Sequence, residues 1–155
     1  MNYYTKIAKS YNELHGEEQA KKMVVIKSLI SPKKNESLLD VGCGTGLSSD
    51  WDCQVVGVDP SFGLLKQNEK PTVQGFGESL PFKDNSFDYI ISVTALGNFF
   101  DVDKGLREMK RVGGNVVVSF LKRSDKSDTI MKAVKKVFTV KKIVEEEKDM
   151  ILLLG

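Results

Sequence analysis

The 155-residue chain predicts an α/β domain built on a mostly parallel sheet, and three observations carry that prediction. Short apolar runs at 37–41, 54–58, 72–76, 87–93 and 114–120 alternate with helical stretches, a pattern that favours parallel strands covered by helices. The first run breaks into a glycine turn, Gly42-Cys43-Gly44-Thr45-Gly46. The second ends on Asp59, thirteen residues past Gly46. Neighbouring parallel strands open their carboxyl ends onto one crevice, so the bare turn and the carboxylate face the same space.

The elements follow in order. Residues 1–30 predict two helices; Ala20, Met23, Val24, Lys27 and Ile30 share a face of the second, with only Lys27 interrupting its apolar character. Pro32 ends it. Between Gly46 and Gln54 there is room for barely two helical turns. Helices are expected at 61–69 and 103–111. A further helix at 126–137 turns Ile130, Val134 and Val137 inward and Lys132, Lys135 and Lys136 outward. The tail from Phe138 to Leu154 reads as two strands around Glu145-Glu146-Glu147, and so short a turn joins antiparallel neighbours in a hairpin.

Composition narrows the classes. The length suits one domain with a real core, and 41% hydrophobic and 28% charged residues are ordinary for a globular protein. A net charge of +2 selects no partner. Cys43 and Cys53 have no metal-ligand spacing and make no disulfide framework, which fits a reducing, cytoplasmic setting and no metal. No stretch approaches a membrane span, and the first residues do not read as a signal peptide.

The crevice calls for a nucleoside-containing cofactor. Glycines at 42, 44 and 46 let a ligand approach the backbone where a Cβ would collide. Asp59 can accept two hydrogen bonds from a ribose diol. Dinucleotide sites use Gly-x-Gly-x-x-Gly, whereas Leu47 stands where the third glycine would be. Asp40, just before the turn, would repel a pyrophosphate and suits an amine better.

The segment Leu38–Gly46 resembles the first motif of the class I S-adenosylmethionine-dependent methyltransferases. Val55–Ser61 is similar to their second motif. Glu78-Ser-Leu-Pro-Phe-Lys-Asp-Asn-Ser-Phe-Asp88 resembles the Leu-Pro-Phe…Ser-Phe-Asp signature of the ubiquinone/menaquinone-biosynthesis type, placed in the methyltransferase type 11 group. Three motifs stand in the right order over about Glu36–Phe120. The resemblance implies a three-layer Rossmann-like methyltransferase fold that ends in a reversed strand. It implies S-adenosyl-L-methionine as cofactor, S-adenosyl-L-homocysteine as product, and a methyl group transferred to an acceptor. It also divides the single domain 1–155 into an N-terminal helical lid (1–31), a cofactor-binding core (36–120) and a C-terminal helix and hairpin (121–155).

Carried onto this chain, the resemblance gives roles to particular residues. Gly42, Cys43 and Gly44 line the methionine half through their backbone, Asp40 holds the amino group directly or through water, Asp59 the ribose, and Pro60 flanks adenine. Relatives carry Asp-Ala where this chain has Phe76-Gly77. Gly77 keeps its backbone donor and Glu78 is a candidate for the missing carboxylate; Phe76 either stacks on adenine or fills core. Ser92–Phe99 faces the acceptor, and Leu96-Gly97-Asn98 stands where a Leu-His-His is common. Thr94 and Asn98 can orient a ligand but are poor bases, and Asp101 is expected to cap the next helix. Tyr4, Ala8 and Tyr11 match the relatives' lid element; Tyr11 is a cofactor contact or an aromatic anchor. His15, the only histidine, reads as an exposed residue at a helix start. No catalytic base is assigned.

The expected acceptor is a small molecule or an exposed macromolecular group, and a second subunit would be one way to complete the pocket. Two alternatives stay open. One is a non-catalytic methyltransferase-fold protein that binds cofactor or a partner. The other is an RNA-modifying enzyme, suggested by eight basic against two acidic residues from Lys122 to Lys142 and weakened by the lack of interleaved aromatics.

Overall fold

The computed structural model describes the backbone from Tyr3 to Gly155 and the side chains from Gly16 onward. The chain divides into two compact units, Met1–Ser31 and Pro32–Gly155.

The first unit is one helix, α1 (Tyr3–Leu29), not the two that its sequence suggested. Gly16 does not break it: the helix runs on through that residue, and nothing lies within 4 Å of where a Cβ would project. A mid-helix glycine costs about 1 kcal/mol relative to alanine, which is too little to end a helix of this length. The expected positions Tyr4, Ala8, Tyr11 and His15 have side chains outside the described residues.

The second unit is a seven-stranded sheet with helices around it. Its strands are β1 (Ser37–Val41), β2 (Gln54–Asp59), β3 (Thr72–Gln74), β4 (Phe87–Val93), β5 (Gly113–Leu121), β6 (Val140–Glu145) and β7 (Asp149–Leu154). They lie in the order β3-β2-β1-β4-β5-β7-β6. Only β7 is reversed: it pairs antiparallel with both β5 and β6, so β6 runs with the rest. The order reverses direction at β1, which has β2 on one side and β4 on the other. Right-handed crossovers that step away from β1 in opposite directions lie on opposite faces of the sheet. Such a switch point opens a crevice at the strands' carboxyl ends.

The helices are unevenly developed. α3 (Val102–Val112) and α4 (Ser127–Val137) are full helices that pack on each other. Leu106, Met109, Val112, Ile130, Ala133 and Val134 carry them into a core shared with Leu39, Val116, Val118 and Leu152. The centre of the sheet is buried on both faces, which explains the largely apolar runs of β1, β4 and β5.

The β1–β2 and β2–β3 connections are much reduced. α2 (Phe62–Leu65) is a single turn where a helix over 61–69 was expected. Residues 44–53 form turns only, with no helix. There the Ser48 and Ser49 hydroxyls bond the Asp40 carboxylate, and the Trp51 indole donates to the Ser48 carbonyl at 3.0 Å. Local side-chain bonds of this kind compete with helix formation.

Candidate functional site

Gly42, Gly44 and Gly46 all take positive φ, at 78°, 51° and 99°. At Gly42 the restriction is double, because a Cβ there would stand 2.4 Å from the Cβ of Ala95. The amides of Gly42 and Cys43 donate to the Val58 carbonyl at 2.8 and 3.2 Å, which pins the turn across the end of β2. Cys43 lies over Gly57, where a Cβ would come within 2.5 Å of its Sγ. Burial, helped by the carboxylates of Asp40 and Asp59, pushes the Cys43 thiol up to about 12. It stays protonated at neutral pH and offers no nucleophile.

Asp59 ends β2 and is 9% exposed. Its Oδ2 accepts the Gly44 amide at 3.0 Å and its Oδ1 the Ser61 amide at 2.8 Å. Each oxygen keeps a second lone pair, so both can still accept a ligand hydroxyl. Next to it, the Pro60 carbonyl accepts from Gln74 Nε2 at 3.1 Å and ties the end of β2 to that of β3.

Asp40 is completely buried. Its Oδ2 accepts the hydroxyls of Ser48 and Ser49 at 2.6 and 2.7 Å. Its Oδ1 is buried with no hydrogen-bond partner. Burial pushes the carboxyl from 3.8 up to about 6; the two serine bonds oppose the rise and the charge of Asp59 adds to it. No ion pair to Asp40 or Asp59 occurs among the described residues. The crevice is therefore a negative site with an unmet demand for a donor.

At the other end, Gly77 is buried beneath Phe99: a Cβ on Gly77 would stand 2.4 Å from Phe99 Cζ. Glu78 Oε2 accepts the amides of Phe100 at 2.6 Å and Asp101 at 3.2 Å. Glu78 thus straps the loop after β3 to the segment after β4. Phe76 does not fill core. It is 53% exposed, with its ring centroid 6.4 Å from that of Phe100, and presents a free face.

After β4, Thr94 has φ 55°, and its amide is shared between the Ser119 carbonyl and hydroxyl, each at 3.0 Å. A β-branched residue in this region stores about 1–3 kcal/mol of strain, which surrounding structure must hold. Ala95 then abuts Gly42, so the β4 end and the glycine turn share one wall. Leu96–Asn98 form a 3-10 turn. Asp101 caps α3 as expected, its Oδ1 accepting the Lys104 amide at 3.1 Å. No cluster of three or more metal-binding side chains occurs among the described residues.

Asp40, Gly42, Cys43, Gly44, Asp59, Pro60 and Thr94 thus border the carboxyl ends of β1, β2 and β4. Gly77 and Glu78 join them through Phe99–Asp101. Sequence reasoning missed several residues that shape this arrangement. Ser48 and Ser49 fix Asp40. Asn68 Nδ2 reaches the Gly44 carbonyl at 3.5 Å and lies where a Cβ on Gly46 would clash. Arg111 donates to the carbonyls of Leu80 and Phe82, which immobilises the Leu-Pro-Phe segment. Their spacing carries no local signal; only the close pair Ser48-Ser49 after Gly46 could have drawn notice.

Comparison with known proteins agrees with this geometry. The profile of the methyltransferase domain family matches residues 39–118. The chain is 41% identical over 99 residues to a demethylmenaquinone methyltransferase of Corynebacterium kroppenstedtii, covering 57% of this chain and 43% of that one. It is 36% identical over 116 residues to an uncharacterized protein of Methanocaldococcus jannaschii, covering 71% and 45%. The chain therefore spans under half the length of these relatives. A solved SAM-dependent methyltransferase of Thermotoga maritima superposes with a TM-score of 0.76 over 96% of this chain and 95% of that one, at 16% identity, a likeness of fold. The chain belongs to the class I S-adenosylmethionine-dependent methyltransferase family.

The residues present fit that family's cofactor. The turn is held in a conformation that suits glycine, with a Cβ excluded by Ala95 at Gly42 and by the Asn68 side chain at Gly46, Asp59 has spare acceptor capacity, and Asp40 carries a buried oxygen without a donor. No helix among the described residues is long and apolar enough to cross a membrane.

Proposed function

We propose that this chain transfers a methyl group from S-adenosyl-L-methionine to a small-molecule acceptor. The observation that carries the proposal is the pair of buried carboxylates without ion-pair partners among the described residues, Asp40 and Asp59, beside a glycine-rich turn. Two negative charges disfavour a pyrophosphate and favour a cationic nucleoside with a ribose diol and an ammonium group. When bound, the cofactor supplies a methyl group activated by a sulfonium charge.

The protein's part is positioning. The backbone of residues 42–44 borders the methionine half, and Asp40 holds the ammonium directly or through water. Asp59 accepts the ribose hydroxyls. Pro60, Phe76 and Gly77 flank the base, and Phe76 stacks on it. Glu78 acts chiefly through the loop it straps. Thr94, held in a strained conformation, sets the wall that the acceptor approaches. Holding both partners in attack geometry supplies most of what such a displacement needs. Asp101 is committed as a helix cap, so the acceptor must arrive nucleophilic or release its proton to solvent.

Because some relatives are named demethylmenaquinone methyltransferases, a quinone is one of the acceptors to try. The test is incubation with S-adenosylmethionine and a panel of aromatic, carboxylate and thiol acceptors plus transfer RNA, with S-adenosylhomocysteine quantified by mass spectrometry. Acceptor-dependent product from a small molecule supports the proposal. Binding without turnover on any acceptor would favour a non-catalytic role, and turnover on RNA alone an RNA-modifying one.

A further inference from the structure

Asp40 is a carboxyl group with little around it to keep it charged. It is completely buried, and no ion pair to it occurs among the described residues. Burial favours the neutral acid, which would offer a cationic ligand no charge to meet. Its register partners, Gly57 on β2 and Ile91 on β4, carry no charge. The titratable groups that act on or beside it are Asp59 at the end of β2, whose charge opposes ionisation, and the protonated Cys43 thiol in the turn.

What favours the charge is a pair of hydroxyls. Ser48 and Ser49, 5% and 1% exposed, both donate to Asp40 Oδ2, at 2.6 and 2.7 Å. Donors to a carboxylate stabilise its ionised form, and with both on Oδ2 the acceptor left over is Oδ1. Adjacent hydroxyls can converge on one oxygen because residues 44–53 form turns only. On a helix of 3.6 residues per turn, consecutive side chains diverge by about 100°. The missing helix between β1 and β2 is thus a condition of the arrangement. Two further bonds hold the serines in place: the Trp51 indole donates to the Ser48 carbonyl at 3.0 Å, and Asn68 Nδ2 donates to Ser49 Oγ at 3.4 Å. Ser49 therefore accepts from Asn68 while it donates to Asp40, and each bond polarises the other.

We propose that Ser48 and Ser49 keep Asp40 charged where it is buried, and so set the acidity range over which the crevice takes a cationic ligand. They act through Asp40 and are positioning residues, not ligand contacts. Ionised, Asp40 attracts an ammonium directly or through water; protonated, it loses that attraction. The consequence for the ligand rests on the methyltransferase reading, whereas the ionisation of Asp40 can be followed with no ligand present.

The test labels aspartate carboxyl groups with carbon-13 and follows Asp40 by NMR against pH in the native chain, in S48A/S49A and in the two single variants; Asp40→Asn identifies the signal. S-adenosylhomocysteine affinity is measured by calorimetry from pH 5 to 7. The native carboxyl should titrate at about 6, and that of the double variant at least about one pH unit higher. Native affinity should climb over the range and level off, whereas that of the double variant should still be climbing at pH 7 and that of D40N should be much flatter. An Asp40 titration unmoved in the double variant would overturn the proposal. So would an affinity lowered by the same factor at every pH, which is what a structural role alone would give. Absence of S-adenosylhomocysteine binding by the native chain, with the titrations as predicted, would leave the serines' hold on Asp40 standing and remove only the cofactor reading. Folding is checked by circular dichroism. If the double variant does not fold, each single variant must raise the proton affinity of Asp40 at least threefold, and a smaller change would overturn the proposal.

Discussion

The Asp59 carboxylate accepts the Gly44 amide at 3.0 Å, joining the end of β2 to the turn that follows β1. One side chain thus holds the two halves of the crevice at a fixed spacing, and its other oxygen fixes Ser61 at 2.8 Å. The carboxylate is preorganised before any ribose arrives.

Asp59→Ala should therefore weaken S-adenosylhomocysteine binding by about 1–3 kcal/mol, the scale of hydrogen bonds to a charged group. Calorimetric titration of a folded variant checks this. Unchanged affinity would place the ribose elsewhere.

Asp40 predicts a pH dependence of definite sign. Its carboxyl is raised from 3.8 to about 6 by burial, so between these values the folded chain keeps a proton that the unfolded chain has lost. The stability due to this group is complete below pH 4 and is lost as the pH rises through 6. The loss is about 3 kcal/mol, at roughly 1.4 kcal/mol per pH unit. Urea midpoints from pH 4 to 7.5 should fall less in Asp40→Asn than in the native chain. A bound ammonium offsets the loss, so stabilisation by S-adenosylmethionine should grow across the same window. Parallel curves for the native chain and D40N would contradict both the burial and the role.

Gly42→Ala meets two obstacles. The left-handed conformation costs a non-glycine residue about 1–2 kcal/mol, and overpacking against Ala95 about 1–3 kcal/mol more. The double variant G42A/A95G should recover only the packing share. Denaturant unfolding of the single and double variants separates the two costs. Full recovery in the double variant would mean that backbone conformation is not limiting.

Arg111 anchors the loop before β4. It donates to Glu108 at 2.5 Å, to Asp84 at 2.9 Å and to the Phe82 and Leu80 carbonyls at 2.8 and 3.1 Å. Glu108 in turn accepts the Leu80 amide at 2.9 Å, and its bond to Arg111 holds its pKa below the usual range. Truncation leaves half-buried acceptors unpaired, so Arg111→Ala should cost about 2–3 kcal/mol by urea unfolding. Arg111→Lys should recover less than half of that, because an ammonium cannot span the same fork. Complete rescue by lysine would reduce the network to simple charge pairing.

Much of this fold was legible because buried parallel strands are written as largely apolar runs. Leu38–Val41, Val55–Val58 and Ile90–Val93 announced β1, β2 and β4, and the acidic turn at 145–147 announced the hairpin. Glycine spacing and the strand-end carboxylate marked the crevice for the same reason: backbone conformation and burial are local demands. What escaped was long-range. The 61–69 segment has helical composition, yet Asn68 is drawn towards Gly44 and Ser49, and the helix closes after one turn. β3 stops at Gln74, short of the strand expected to Phe76, and Phe76 turns its ring outward. α1 runs on through Gly16, where two helices were expected, because one mid-helix glycine costs too little to end a helix of this length.

The central claim is that the crevice between β1, β2 and β4 holds the adenosyl amino acid shared by S-adenosylmethionine and its product. It is tested most directly by calorimetric titration of the native chain with S-adenosylhomocysteine and, separately, with NAD. One site of micromolar affinity for the former, with no heat from NAD at millimolar concentration, is the predicted result. Silence from S-adenosylhomocysteine at millimolar concentration, or tighter binding of NAD, would contradict it.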